Sequence, residues 1–295
     1  MTRWLVTGAG GMLGRELVDI LSTDPGAQVA AAARTALDIT DTAAVRRAVT
    51  GRDIVVNTAA WTDVDGAESQ EGAATRVNGD GVGVLAAACA ATGARLLQIS
   101  TDYVFAGDAH TPYREDAPLA PVNAYGRSKA AGEAAVGELL PDAGYVVRTA
   151  WLYGRHGRSF LRTVLGRVAA GEPVRVVDDQ YGQPTWARAL AERLVLLGNR
   201  AVRGQAPAGI YHGTASGQAS WYELALTAVR SAGLDTRLLG RDSAGNLTRR
   251  AVRPAYSVLG QEGWDRAGLP PMPHWTDMLG EALATGGFVM PGTRH

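Results

Sequence analysis

Five short runs rich in Val, Ile, Leu and Ala divide the first half of the chain: Arg3 to Thr7, Ala27 to Ala33, Asp53 to Asn57, Arg95 to Ser100 and Tyr145 to Thr149. Their apolar residues follow one another instead of alternating with polar ones, which is the pattern of strands covered on both faces. Helical patterns fill the gaps, near Gly11 to Thr23, Asp41 to Thr50, Ala73 to Ala91 and Asn123 to Leu140. Strands interleaved with helices in this way join as parallel βαβ units. The chain is therefore predicted to be an α/β protein with a doubly wound parallel sheet.

The second half is less regular. Its helical patterns lie near Ser159 to Ala170, Trp186 to Asn199, Trp221 to Ala232 and His274 to Thr285, with strand patterns at Val174 to Val177 and Gly209 to His212. Its proline and glycine content, including Pro270-Pro271 and Pro273, suits loops that shape a ligand site. The sequence puts a boundary near residue 150. Residues 1–150 make the sheet domain, and 151–295 make mainly a smaller carboxyl-terminal lobe with some segments returning to the sheet. No internal repeat or low-complexity linker is visible.

Composition narrows the function classes. The 295 residues are 46% hydrophobic, with 29 basic side chains against 29 acidic ones. That is ample for a large core, and it lacks the basic excess with which a protein holds nucleic acid or an anionic membrane by charge. The longest uncharged stretch near the middle, Gly81 to Ala94, falls short of the roughly 18 residues that a membrane span needs. The amino end enters an apolar strand and a glycine turn without a signal-peptide pattern, so a cytoplasmic location is expected. Cys89 is the only cysteine, which rules out an intrachain disulfide or a cysteine metal cluster and reads as a small buried side chain. The five histidines, His110, His156, His212, His274 and His295, show no metal-binding spacing, and no catalytic metal is expected. The acid pairs Asp178-Asp179 and Glu115-Asp116 read as turn formers.

Directly after the first strand comes Gly8-Ala9-Gly10-Gly11-Met12-Leu13-Gly14, opening a helix. Glycines at such a junction let the backbone approach a pyrophosphate, whose charge is met by amide hydrogens and the positive helix end. This predicts a dinucleotide site on a Rossmann-type sheet. The second strand ends in Ala30-Ala31-Ala32-Ala33-Arg34-Thr35, without the acid that would hold the ribose hydroxyls of NAD. Arg34 can instead pair with the 2′-phosphate of NADP, which favours NADPH and leaves NADH open. Small residues after the third strand, Asn57-Thr58-Ala59-Ala60, would let a flat ring lie against the backbone.

The segment Asn123-Ala124-Tyr125-Gly126-Arg127-Ser128-Lys129 sets Tyr125 and the only lysine of the chain four apart on one helical face. A phenol near pKa 10 becomes a useful acid-base group when a neighbouring cation stabilises its phenolate. A lysine can do so and still hydrogen-bond a ribose, whereas arginine is no equivalent. The plainer alternative is a chance survivor on a solvated face.

Together, Gly8 to Gly14, Ser100-Thr101-Asp102-Tyr103-Val104-Phe105 and Tyr125-x-x-x-Lys129 resemble the extended short-chain dehydrogenase/reductases, and specifically the dTDP-4-dehydrorhamnose reductase family. Further matches are Asn57 to Glu68, Arg148-Thr149-Ala150-Trp151-Leu152-Tyr153, Asp179 to Thr185 and Arg253-Pro254. The resemblance implies NADPH-dependent reduction of a dTDP-linked 4-keto-6-deoxy sugar, the last step to dTDP-L-rhamnose. It implies Tyr125 as proton donor, Lys129 as its partner and ribose ligand, and Thr101 as the group orienting the carbonyl. It further implies Gly8, Gly11, Met12, Leu13 and Gly14 at the pyrophosphate, Asp38 and Ile39 at the adenine, and Thr58, Ala59 and Ala60 at the nicotinamide. Val64, Asp102, Tyr103 and Trp151 fall in the sugar pocket, and Gln183 near the nucleotide end.

Some members of the family pair subunits through magnesium held by glutamates. Glu16 occupies one such position, and Arg188 stands where the other acid would be, which argues against a metal-bridged dimer and leaves a monomer or homodimer. Two competing readings share these motifs. One is a 4-ketoreductase for another deoxysugar, in a dihydrostreptose or antibiotic pathway. The other is a non-catalytic NADP-binding regulatory subunit, which would have no need of Thr101, Tyr125 and Lys129.

Overall fold

The computed structural model describes residues 1–285; the last ten positions, including His295 and the end of the 151–295 segment, lie outside the described residues. Twelve strands occur in chain order among them: β1 (Thr2–Thr7), β2 (Ala27–Ala32), β3 (Ile54–Asn57), β4 (Arg95–Thr101), β5 (Gly144–Thr149), β6 (Leu152–Tyr153), β7 (Val174–Val177), β8 (Tyr181–Gly182), β9 (Thr185–Trp186), β10 (Gly209–His212), β11 (Ala219–Ser220) and β12 (Leu239–Asp242). The α-helices are α1 (Met12–Thr23), α2 (Thr42–Val49), α3 (Val64–Ser69), α4 (Glu71–Thr75), α5 (Gly81–Thr92), α6 (Ala124–Leu139), α7 (Phe160–Ala169), α8 (Ala187–Val202), α9 (Trp221–Ser231), α10 (Gly263–Arg266) and α11 (Trp275–Ala284).

Six parallel strands form the central sheet, in the order β2-β1-β3-β4-β5-β10. Each strand places neighbouring residues on opposite faces, and both faces are buried. Trp4, Val6, Ile54, Val56, Leu97 and Val147 point into a core shared with α1, α8 and the smaller lobe. Leu5, Val55, Leu96 and Val146 point into a second core with α2, α5 and Cys89. That is the physical reason for the unbroken apolar runs. Gly198 on α8 makes the first packing close, since a Cβ there would come within 2.4 Å of the Trp4 ring.

The boundary near residue 150 is a seam in one body. Strand β10 lies beside β5 in the main sheet, and α8 packs on α1. The smaller lobe carries three strand pairs of its own, β7 with β12, β6 with β9 and β8 with β11, and its apolar side chains, among them Val164, Val174, Leu224 and Met278, continue the first core. The strand order reverses between β2-β1 and β3. The carboxyl ends of the strands there open a crevice, the usual ligand position in an open α/β sheet. No helix among the described residues is long and apolar enough to cross a membrane.

One predicted element differs in kind. The helix expected over Ala73 to Ala91 is broken into α4, a π-helical turn at Arg76–Asp80 and α5. The wide turn carries Asn78 to the loop after β3, where its side chain accepts from the Trp61 amide at 2.8 Å and donates to the Trp61 carbonyl at 3.0 Å and to Ser128 Oγ at 2.9 Å. Such insertions into helices cluster at functional sites. The short helix α3 was also invisible to periodicity; Asp63 starts it by accepting from the Gly66 amide at 2.9 Å.

Candidate active site

A cleft of about 1030 Å³ runs across the strand ends between sheet and lobe. At one end lies the glycine turn. Gly8 sits at φ 66°, and a Cβ there would come within 2.4 Å of the Ala59 amide nitrogen, while one on Gly14 would come within 2.5 Å of the Gly8 carbonyl. The loops after β1 and β3 thus touch only because these residues are glycines. Helix α1 starts at Met12 behind Gly11, with no side chain capping its first turn, and Gly11, Met12 and Leu13 line the cleft. Free amides at a helix start facing a cleft fit a pyrophosphate.

Arg34, Asp38 and Ile39 line the same end, together with Arg76. The Asp38 carboxyl lies below the usual carboxylate range, mainly because it accepts from Thr40 N at 2.9 Å and Thr40 Oγ1 at 2.8 Å, with Arg76 and Arg34 adding to the effect. Thr58, Ala59 and Ala60 form the wall nearest β3, and Thr58 Oγ1 donates to the Thr7 carbonyl at 2.7 Å. A buried chain braces these strand ends: Thr7 Oγ1 donates to Asn57 Oδ1 at 2.5 Å, and Asn57 Nδ2 donates to Gln98 Oε1 at 2.7 Å.

Tyr125 and Lys129 project from α6, whose start is capped by Asn123 accepting from the Gly126 amide at 2.8 Å. A Cβ on Gly126 would come within 2.1 Å of the Tyr103 carbonyl, so this glycine lets the helix reach the end of β4. Tyr125 then meets Tyr103 edge to face, with ring centroids 5.9 Å apart. Thr101 Oγ1 donates to Asp102 Oδ1 at 3.0 Å and accepts from the Tyr103 amide at 3.2 Å. Burial pushes the Tyr125 phenol above its usual value, and the Thr101 hydroxyl is the group that draws it back. Burial likewise raises Tyr103 to about 12.

Lys129 departs from the simplest picture. Its Nζ donates to the Ile99 carbonyl at 2.6 Å, and burial lowers its pKa to about 8 against the pull of Glu133. Burial thus acts on the two groups in opposite senses, and the Thr101 hydroxyl pulls the Tyr125 phenol back down. One turn further along α6, Glu133 accepts from Ser100 Oγ at 2.5 Å and pairs with Arg148 through contacts of 3.0 and 2.7 Å. Arg148 also donates to the Glu115 carbonyl at 3.1 Å and lies 3.3 Å from His212 Nε2; burial and this guanidinium push His212 down to about 3. The i+4 repeat Tyr125, Lys129, Glu133 could have been read from the sequence, but its partner Arg148 could not.

The sugar-pocket residues Val64, Asp102, Tyr103 and Trp151 all line the cleft. Asp102 is buried and accepts from Ser257 Oγ of the smaller lobe at 2.5 Å; burial raises its carboxyl to about 6. Gln183 is the exception. It is buried behind the cleft wall, where Nε2 donates to the carbonyls of Ala215 and Leu259 and Oε1 accepts from the Leu259 amide at 2.8 Å. Both amide hydrogens and the carbonyl oxygen of Gln183 thus engage loop backbone, and the residue does not line the cleft as expected of a group near the nucleotide. Trp221, Arg76 and Arg158 line the cleft without having been singled out, because tryptophan and arginine on amphipathic helices and loops look like core and surface.

A glycine turn at the switch point and a Tyr-x-x-x-Lys helix beside it define a reductase of the extended short-chain dehydrogenase/reductase class. A model of the family described as the RmlD substrate binding domain matches residues 2–287. A dTDP-4-dehydrorhamnose reductase of Streptomyces griseus is 52% identical, covering 99% of this chain and 98% of its own. A dTDP-4-keto-6-deoxy-D-glucose reductase of Streptomyces niveus is 48% identical over 95% of this chain and 96% of its own. The crystal structure of a dTDP-4-dehydrorhamnose reductase from Bacillus anthracis in complex with NADP superposes with a TM-score of 0.90 at 33% identity, covering 97% of this chain and 100% of that one. The chain belongs to the dTDP-4-dehydrorhamnose reductase family.

Proposed function

We propose that the protein reduces the C4 ketone of a dTDP-linked 4-keto-6-deoxy sugar with NADPH, converting dTDP-4-dehydrorhamnose to dTDP-L-rhamnose. The observation that carries this reading is the meeting of Thr101, Tyr125 and Lys129 in one cleft with the glycine turn. A nicotinamide cofactor supplies the hydride. Gly8, Gly11 to Gly14, Arg34, Asp38, Ile39 and Thr58 to Ala60 hold it, and Lys129 keeps ammonium protons for the ribose beyond the one given to Ile99. Tyr125, protonated throughout the neutral range, delivers its proton to the oxygen developing negative charge at C4. Thr101 positions that oxygen, while Val64, Asp102, Tyr103 and Trp151 surround the sugar. The enzyme acts in the cytoplasm as a monomer or homodimer, without nucleic acid or metal bridge.

The test is NADPH absorbance during incubation with dTDP-4-keto-6-deoxy-L-lyxo-hexose, with the product identified by NMR. Oxidation that yields dTDP-L-rhamnose supports the reading. The Streptomyces niveus relative favours a second substrate, dTDP-4-keto-6-deoxy-D-glucose, and preferential turnover of that sugar would replace the first. Cofactor binding without turnover of either would overturn both.

A further inference from the structure

Glu133 and Arg148 are charged side chains with almost no exposure, and the mechanism above uses neither. The carboxylate is held from two sides: Ser100 Oγ donates to Oε1 at 2.5 Å, and Arg148 donates to both oxygens at 2.7 to 3.1 Å. Arg148 is fixed in turn by the Glu115 carbonyl at 3.1 Å, by His212 Nε2 at 3.3 Å and by the Phe105 ring, whose centroid lies 4.9 Å from its guanidinium carbon. Such a pair is weak evidence of stability, because two apolar side chains of similar volume would hold α6 to β5 as well or better. What an apolar pair lacks is an acceptor for Ser100 and a negative charge near Lys129.

Two successive residues of β4 meet two successive turns of α6. The Ile99 carbonyl accepts from Lys129 Nζ at 2.6 Å, Ser100 donates to Glu133 one turn further on, and Thr101 follows at the reacting end. Glu133 thereby fixes the strand segment on which the lysine is seated. The charges around Lys129 are few. It is 4% exposed, and burial by itself favours the neutral amine. Tyr125 and Glu133 share its helix, Asp102 and Tyr103 follow β4, Arg148 lies on β5, and Arg76 stands on the π-turn packed against α6. On α3 and α4, Glu68 accepts from the Ala124 amide at 2.8 Å and Glu71 pairs with Arg127 at 2.7 Å, while α5 brings Cys89 as its one titratable group. His212, on β10 behind Arg148, is neutral. Of all these groups, Glu133 is the one whose charge favours the ammonium.

We propose that Glu133 is the positioning residue for Lys129: its carboxylate, locked by Ser100 and Arg148, keeps the lysine an ammonium seated against the end of β4. The proposal rests on the reading above, in which Lys129 serves the cofactor ribose and Tyr125. Because Lys129 is the only lysine, the full chain labelled with carbon-13 at lysine Cε gives one side-chain NMR signal, which follows this ammonium directly as pH is varied. The parent should titrate near pH 8. Glu133→Gln keeps the shape and loses the charge, so the midpoint should fall by about one pH unit, a tenfold loss of proton affinity, and the alkaline decline of kcat should move down with it. Ser100→Ala keeps the charge and loosens the seat. Its midpoint should stay within about twofold in proton affinity of the parent, while kcat at pH 6.5 falls about threefold.

An unmoved midpoint in Glu133→Gln, or one moved as far in Ser100→Ala, would overturn the proposal, since packing and not the carboxylate would then govern the lysine. If Glu133→Gln loses the parent's cooperative thermal transition, the double variant Glu133→Gln, Arg148→Met decides, because it removes both buried charges together. A midpoint below that of the parent supports the assignment, and an equal one overturns it. A lowered midpoint with no turnover of any 4-keto-6-deoxy sugar would sink the reductase reading and leave Glu133 its role. Turnover with an unmoved midpoint would do the reverse.

Discussion

Tyr125 and Lys129 divide the acid-base work unequally because burial acts on them in opposite senses. It raises the phenol and lowers the ammonium to about 8. Replacing Tyr125 by Phe removes the proton donor and leaves the cleft's shape, so kcat should fall at least about 100-fold with NADPH affinity unchanged, as measured by stopped-flow and fluorescence titration. The alkaline side belongs to Lys129. Its ammonium is intact below about pH 8 and is lost as pH rises through that value, so turnover should decline there. A rate that stays flat to pH 10 would take the lysine's charge out of the mechanism. At the cofactor's far end, Arg34→Ala should reduce the preference for NADPH over NADH about tenfold, the loss of one charge-assisted pair.

Among the elements, those set by local pattern were legible and those set by distant partners were not. The strands of the first half are apolar because both sheet faces are covered, and the sequence states this directly. Tyr125 and Lys129 share a helix face by spacing alone. By contrast, the Glu133–Arg148 pair joins α6 to β5, and Arg253 grips Asp65 with two contacts of 2.7 Å from almost the other end of the chain. Gln183 sits in a motif that looks functional, yet its amide fastens loops, because motif position does not reveal which way a side chain turns. The π-turn is the sharpest case. Asn78-Gly79 weakens the helix locally, but only the fold shows that Asn78 then satisfies both backbone polar groups of Trp61. Asn78→Ala would leave a part-buried amide and carbonyl unpaired by protein, costing about 1–2 kcal/mol in chemical denaturation, and should shift the cleft wall enough to lower kcat. Unchanged stability would mean that the turn is held by packing alone.

For the molecule as a whole, the smaller lobe is fastened to the sheet by charge as well as by the shared core, and Glu16 shows how. It is almost fully buried on α1, and Arg155, beyond β6, pairs with it at 3.1 and 3.3 Å and with Asp19 at 2.5 Å. Arg188 stands 3.9 Å from the same carboxylate, and His156 is 3.4 Å from Asp19. Glu16, Asp19 and His156 are close enough to share a cation, with ligand atoms within 4.8 Å of one another. The Arg155 guanidinium already pairs with both acids and Arg188 adds a second positive charge beside Glu16, so a divalent ion would have to displace them. Turnover and mass by light scattering should therefore be unaffected by dialysis against EDTA. A loss of either on chelation, restored by magnesium, would show that the arginines yield to a metal. Removing the guanidinium should matter where removing metal does not. Arg155→Ala leaves a buried carboxylate with only Arg188 at 3.9 Å and the His156 ring at 3.8 Å beside it, and the cost should be about 1–3 kcal/mol, below the figure for a fully buried pair because Arg155 is half-exposed. A thermal midpoint equal to that of the parent would mean that the apolar core alone holds lobe and sheet together.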